Sequence, residues 1–305
     1  MIGYRRLSGP IGLTDQETGT RGMWLEKRRA LWAWLRQAGH ELIVFGRLTA
    51  QSQGRVLAVD GYIPCDILML EFGGTNLQFF GKDIEQTKAI LRVHAGPVVF
   101  LCDDPDLWAP ADVLEIGPER WRIWANASKA EGPELPTRDV PFGALLPIRE
   151  PDDVWQIPRL AYIGRLEGRR SQVGQADARA LAIYGRAKEW PGYALAGQPP
   201  EQAYRADLYR AHVGVLGLAD AKHRRTGWRT GRVSHAISAG VPVTVAADHQ
   251  ELRLVLPSFS SLSEAIEQGQ EWAADRQVRR QAWERGAAWQ AGLRPMMDAC
   301  AQDLA

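Results

Sequence analysis

The stretch Val98-Val99-Phe100-Leu101-Cys102-Asp103-Asp104-Pro105-Asp106-Leu107 decides how the rest of the chain is read. Five apolar residues run without a break into three carboxylates interrupted by a proline. A short continuous apolar run predicts a strand buried on both faces, the kind built into a parallel sheet. Acids at the carboxyl end of such a strand stand where open α/β sheets bind their ligands. Two readings follow. Either Asp104 is a general base at the mouth of a cleft, or Asp103 to Asp106 make a turn and cap the next helix, since Asp-Pro-Asp is also good turn chemistry.

Upstream, the pattern alternates between strand and helix. Ile2 to Leu7 is a first strand, followed by a glycine-rich polar stretch from Ser8 to Gly22 that lacks both the Walker spacing and G-x-G-x-x-G. Met23 to Gln37 is an amphipathic helix carrying Trp24, Leu31, Trp34 and Leu35, with Gly39 as its stop. Glu41 to Phe45 and Cys65 to Glu71 are the second and third strands. The third leads into Phe72-Gly73-Gly74-Thr75-Asn76-Leu77-Gln78-Phe79-Phe80-Gly81, a ligand-edge loop in which Asn76, Phe79 and Phe80 are candidate contacts. The two phenylalanines are equally suited to anchoring the loop in the core. Lys82 to His94 is a helix, and Gly96-Pro97 turns into the opening strand.

Downstream, Val140 to Pro147 is expected to be the last strand of a first domain, with a linker through Asp152 and Asp153. A second series then begins: strand Arg159 to Gly164, exit loop Arg165 to Ser171, helix Ala176 to Trp190, strand Tyr193 to Gly197, helix Glu201 to His212 and strand Val213 to Gly217. A basic loop, Lys222 to Arg229, precedes a helix over Arg232 to Ser238, a stop at Gly240 and a strand over Val241 to Val245. From Ser261 onward the chain is helical, with Trp272, Trp283 and Trp289. The expected fold class is α/β: two Rossmann-like parallel-sheet domains, residues 1–152 and 153–285, facing a central cleft.

Composition bounds the function. A chain of 305 residues, 45% hydrophobic and 24% charged, is an ordinary globular protein with room for two cores. No apolar run is long enough to span a membrane, and Met1 to Arg6 is not followed by a signal-type apolar core. Cys65, Cys102 and Cys300 read as buried thiols of a reducing cytoplasm. Net charge is +1, but Arg159 to Arg232 holds fourteen bases against six acids. That local excess suits phosphates, on a nucleotide or on a polymer.

Gly164-Arg165 with Arg169-Arg170 brings backbone N–H groups and guanidinium forks to a strand-to-helix junction, the combination a diphosphate needs. Arg232 falls in the first turn of a helix, against the helix dipole, which an anion shared between the two would explain. His235, three residues on, shares its face. His40, His94, His212 and His249 read as structural. No histidines and carboxylate have metal spacing, so no protein-built metal cage is expected. Neither a serine elbow nor a Cys-His pairing stands out.

Arg232-Val233-Ser234-His235-Ala236-Ile237-Ser238-Ala239-Gly240-Val241-Pro242-Val243 resembles the donor-site helix of GT-B glycosyltransferases. With the block from Cys65 through Lys82 to Asp104, and Tyr162-Ile163-Gly164 with its arginine loop, it is similar, in the same order, to the DNA β-glucosyltransferases of T-even phages. The resemblance implies a GT-B fold with a C-terminal helix, residues 286–305, returning to the first domain. It implies UDP-glucose as donor and Asp104 as general base. Gly164, Arg165, Arg169, Arg170 and Arg232 then hold the diphosphate. The family's ribose-binding glutamate falls on His235, which puts ribose contact and nucleotide choice in question. The partner it implies is double-stranded DNA bearing a hydroxymethylated pyrimidine that is flipped out for reaction. No tightly bound cofactor is implied; a divalent metal enters only as a stimulant of product release. The protein is expected to be a cytoplasmic monomer, in a host cytoplasm if phage-encoded. Two other readings stay open: a GT-B enzyme acting on a lipid or polysaccharide, and a non-catalytic nucleotide- or DNA-binding module.

Overall fold

The computed structural model describes residues 1–6, 22–45, 58–59, 62–71, 81–102, 117–127, 137–152, 154–164, 169–173, 180–185, 190–192, 194–197 and 206–304. It divides into two compact units, Met1–Leu145 with Met296–Ala305, and Leu146–Pro295.

The first unit is built on strands β1 (Ile2–Arg6), β2 (Leu42–Phe45), β3 (Ala58–Val59), β4 (Ile67–Glu71), β5 (Val98–Cys102), β6 (Trp121–Ala125) and β7 (Thr137–Asp139). They are all parallel and lie in the order β3-β2-β1-β4-β5-β6-β7. The winding reverses between β1 and β4, which makes their carboxyl ends the switch point of this sheet. Unbroken apolar runs form β4 and β5 because both faces are covered: Leu68, Met69 and Leu70 are fully buried, as are Val98 to Leu101. Helix α1 (Gly22–Gln37) sets Leu31, Trp34 and Leu35 against Met69, Val99, Leu101 and Trp124. Met297, Cys300 and Leu304, from the end of the chain, complete the same core. Asp298 accepts from the Trp34 indole at 2.9 Å and Asp303 from that of Trp124 at 3.3 Å. Helix α2 (Gly81–Val93) joins β4 to β5. Glu71, the last residue of β4, is fully buried and takes a two-pronged grip from Arg28 of α1, Nε to Oε2 at 2.6 Å and Nη2 to Oε1 at 2.5 Å.

In the second unit β8 (Ile157–Ile163), β9 (Leu181–Tyr184), β10 (His212–Gly217), β11 (Val243–Ala246) and β12 (Ser258–Phe259) are parallel in the order β12-β11-β10-β8-β9. Their helices are α3 (Arg170–Val173), α4 (Ala206–Arg210), α5 (Ala221–Thr226), α6 (Gly231–Ser238), α7 (Leu262–Ala274) and α8 (Arg276–Gly292), and α9 (Arg294–Ala299) follows. Here the winding reverses between β8 and β10, so the crevice at their carboxyl ends is the place for a ligand. Gly240 ends α6 at φ +82°, and a β-carbon there would press to 2.6 Å from the carbonyl of Glu150.

Several expected elements differ. Val140 to Pro147 is not a strand: Pro141 cannot donate to a ladder, and Phe142–Leu145 coils as a 3-10 turn packed into the core. The strands preceding it are Trp121–Ala125 and Thr137–Asp139. Within the expected helix Ala176 to Trp190, residues Leu181–Tyr184 form β9, because pairing with β8 and burial outweigh the local preference of its alanines and arginines. Of the expected strand Tyr193 to Gly197, residues 194–197 are described, and Gly197 bridges to Tyr184. The basic loop is helix α5, capped by Asp220 and stopped by Gly227 at φ +67°. Cys65 is half-buried, whereas Cys300 is buried.

Candidate functional site

Strand β8 ends at Ile163 and β10 at Gly217, and between these ends lies Arg232. It stands in the first turn of α6, 7% exposed. Its Nε donates to the carbonyl of Ile163 at 2.6 Å and its Nη1 to that of Leu218 at 2.8 Å. One guanidinium thus spans the two strands that flank the switch point. Its Cζ stands 4.6 Å from the centre of the Tyr162 ring, a cation–π distance. Two carbonyls and an aromatic face offset the repulsion of a cation from the helix N-terminus. Each hydrogen bond from a charged donor is worth about 1.5–3 kcal/mol, so the charge is fixed in position before any ligand arrives.

Gly164 shares this geometry. Its N–H donates to Tyr184 of β9 at 2.9 Å, and its carbonyl accepts from the Trp190 indole at 2.8 Å. Its φ is +150°, and a β-carbon there would collide with Nη2 of Arg232 and stand 3.0 Å from the Tyr162 hydroxyl. Only glycine lets the backbone pass this close to the guanidinium. The Tyr162 and Trp190 rings meet edge to face, 5.5 Å between centres.

The three residues leaving β10 gather more cations. Ala219 accepts from Gln172 at 2.8 Å and from Arg224 at 2.5 Å. Asp220 caps α5 by accepting the His223 backbone N–H at 2.9 Å, and its Oδ1 lies 2.6 Å from His223 Nδ1. Its Oδ2 is 4.0 Å from Nη2 of Arg169. Burial alone would raise the Asp220 carboxyl. The hydrogen bonds from His223 and the charges of His223 and Arg169 instead hold it well below the usual carboxylate range. Arg224 pairs with Asp248 at 2.7 Å and Arg229 with Glu251 at 2.7 Å.

Of the residues singled out in the sequence, Gly164, Arg169, Arg232 and His235 are described, all in the second unit. Gly164 and Arg232 are in contact range, Arg169 reaches Asp220, and His235 is buried at 3% exposed in α6. Arg170 opens α3, but its side chain lies outside what is described. Asp104, Asn76, Phe79, Phe80 and Arg165 also lie outside the described residues. Tyr162, Trp190, Asp220 and His223 were not singled out. Asp220 was legible as a helix cap before Ala221 with Gly227 as stop, and Tyr162 as the strand neighbour two before Gly164. Nothing local pointed to Trp190. Three other histidines are packed inside. His94 donates from Nε2 to Pro97 at 3.1 Å and accepts from Tyr62 at Nδ1 at 3.1 Å. His212 donates from Nδ1 to Leu208 at 2.8 Å and accepts from Tyr184 at 3.1 Å, and His249 accepts the Leu252 N–H at 3.1 Å. Among the described residues no group of three or more His, Cys, Asp or Glu is placed to hold a metal ion, and no helix is long and apolar enough to cross a membrane.

Two all-parallel α/β units in series, each with a switch point, are the plan of the GT-B fold, and solved structures agree. The chain superposes on the T4 phage β-glucosyltransferase in complex with its UDP-glucose substrate with a TM-score of 0.71 at 12% identity, covering 99% of this chain and 98% of that one. A β-glucosyltransferase described as a DNA-modifying enzyme gives 0.66 at 12% identity over 97% and 99%. HepE of Anabaena, solved with UDP and glucose, gives 0.61 at 11% identity over 100% and 99%. No protein-family model and no curated protein sequence matches the chain.

Proposed function

We propose that the protein is an inverting glycosyltransferase that moves glucose from UDP-glucose to the hydroxymethyl group of a modified pyrimidine in DNA. The observation that carries the donor half is Arg232, buried yet fixed across the β8/β10 switch point beside Gly164. The neighbours solved with UDP-glucose, UDP, or UDP and glucose support the same reading, and the description of one β-glucosyltransferase neighbour as a DNA-modifying enzyme supports the acceptor.

In this reading the second unit holds the donor. Arg232, Arg169 and the backbone at Gly164 face the diphosphate and stabilise the charge that grows on it as the glycosidic bond breaks. Arg165 and Arg170 belong to the same loop, and His235 stands where ribose contact is expected. The first unit takes the DNA. Asn76, Phe79 and Phe80, in the segment after β4, contact the flipped base, and Asp104, beyond β5, removes the proton from its hydroxymethyl oxygen as that oxygen attacks the anomeric carbon in line. A hydroxyl is a weak nucleophile near neutrality, which is why a positioned base is needed. One neighbour was solved with UDP and Mn2+. The described residues of this chain offer no metal-holding group, and no step of the proposal runs through a metal. The protein would act as a monomer in the cytoplasm, where UDP-sugars and DNA meet.

The test is mass spectrometry of nucleosides after incubation of hydroxymethylated and plain duplexes with UDP-sugars. Glucose on the hydroxymethylated nucleoside alone is the expected result. Transfer to neither duplex, with UDP-glucose still bound, sinks the DNA acceptor and leaves another acceptor on the same fold.

A further inference from the structure

Trp190 lies in the segment after β9 and is fully buried, and its indole Nε1 donates to the carbonyl of Gly164 at 2.8 Å. Room for that bond is made by Gly185, which follows β9. A β-carbon there would collide with Nε1 and Cδ1 of the indole and stand 3.1 Å from the Gly164 oxygen. The indole also meets the Tyr162 ring edge to face, and that ring lies under the Arg232 guanidinium, 4.6 Å from its Cζ. One side chain thus touches both the glycine backbone and the ring against which the switch-point cation rests.

The peptide unit that carries the Gly164 carbonyl also carries the N–H that follows it, and in a trans peptide the two point in opposite directions. A carbonyl held on a buried indole therefore turns that N–H out of the core, at the carboxyl end of β8. Gly164 has no side chain with which to fix this peptide, so its direction is set from outside. A fixed outward N–H beside a fixed guanidinium is what a phosphate oxygen requires.

We propose that Trp190 is a positioning residue for the donor diphosphate: through the Gly164 carbonyl it aims the next peptide N–H at a phosphate oxygen. It touches no substrate itself. The inference rests on the donor reading above. An anion at the N–H polarises the peptide, makes the carbonyl oxygen a stronger acceptor and so tightens the indole bond. Donor binding is thereby felt at a buried group on the opposite side of the peptide.

The test is magnetic resonance of the indole N–H groups in the full chain, isotope-labelled in its tryptophans. The resonance missing from Trp190→Phe is that of Trp190. UDP-glucose should move its proton downfield, and uridine, which lacks the phosphates, should leave it in place. By calorimetry Trp190→Phe and Gly185→Ala should each bind UDP-glucose about tenfold more weakly than wild type. The first removes the hydrogen-bond donor, and the second crowds it off the carbonyl. Bound UDP-glucose with an unmoved Trp190 resonance, an equal shift with uridine, or wild-type affinity in either variant overturns the positioning role. A wild type that binds no UDP-glucose overturns the donor reading instead. Should Trp190→Phe not fold, nuclear Overhauser contacts with the Tyr162 ring assign the resonance, and the wild-type spectrum with Gly185→Ala decides alone.

Discussion

Nη2 of Arg232 fills the space that a β-carbon on Gly164 would need. The glycine is therefore part of the cation's seat, and its φ of +150° closes that position to other residues a second time. Gly164→Ala should push the guanidinium off the Ile163 and Leu218 carbonyls and add backbone strain of about 1–3 kcal/mol. The expected outcome is a loss of UDP-glucose affinity of about tenfold or more, with a lowered melting temperature, read by calorimetry and a thermal scan. Unchanged affinity would separate Gly164 from the site.

In the proposed reaction Asp104→Asn removes the base and leaves the donor-binding residues in place. Transfer of labelled glucose to a hydroxymethylated duplex should fall by about 10²–10⁴-fold, while UDP-glucose affinity stays at the wild-type value. Residual turnover near wild type would return Asp103 to Asp106 to the role of turn and helix cap.

The buried grip of Arg28 on Glu71 should be a point of fragility in the first unit. Glu71→Gln leaves a buried guanidinium facing a neutral amide, which costs about 3 kcal/mol. Urea unfolding measures the loss. The affinity for UDP-glucose should not move, since the described residues that touch Arg232 and Gly164 belong to the second unit; a parallel loss of donor binding would contradict that expectation.

Acid should destabilise the protein through its inner histidines. Burial lowers the His249 pKa to about 4, and burial also lowers those of His94 and His212. The unfolded chain takes up protons near the ordinary histidine value of about 6.5, while the folded chain does not. Stability is therefore present above about pH 6.5 and falls as pH drops towards about 4, with about 3 kcal/mol from His249 alone. Equilibrium unfolding in urea at about pH 7 and about pH 4.5 measures the difference, and His249→Gln should reduce it. A flat profile would mean that these rings are protonated inside the fold.

The α/β class was legible because parallel strands covered on both faces must be apolar throughout, and Leu68 to Leu70 and Val98 to Leu101 carry that mark. Helix α6 was legible from its Gly240 stop. The strands of two or three residues, Ala58–Val59, Thr137–Asp139 and Ser258–Phe259, are too short to show any period. Strand β9 sits among helix-favouring residues and is decided by its neighbour β8. At the site, Arg232 could be singled out as a cation in the wrong place for its helix. What holds it could not, because its partners are main-chain oxygens 69 and 14 residues away, which leave no trace in side-chain pattern.

The core of the first unit contains Met297, Cys300 and Leu304, while the second unit is one uninterrupted segment from Leu146 to Pro295. On the ribosome the usual order, amino-terminal domain first, is therefore inverted. The second unit can close as soon as it emerges. The first, although made earlier, must wait with part of its core open until the residues made after the whole second unit arrive to fill it.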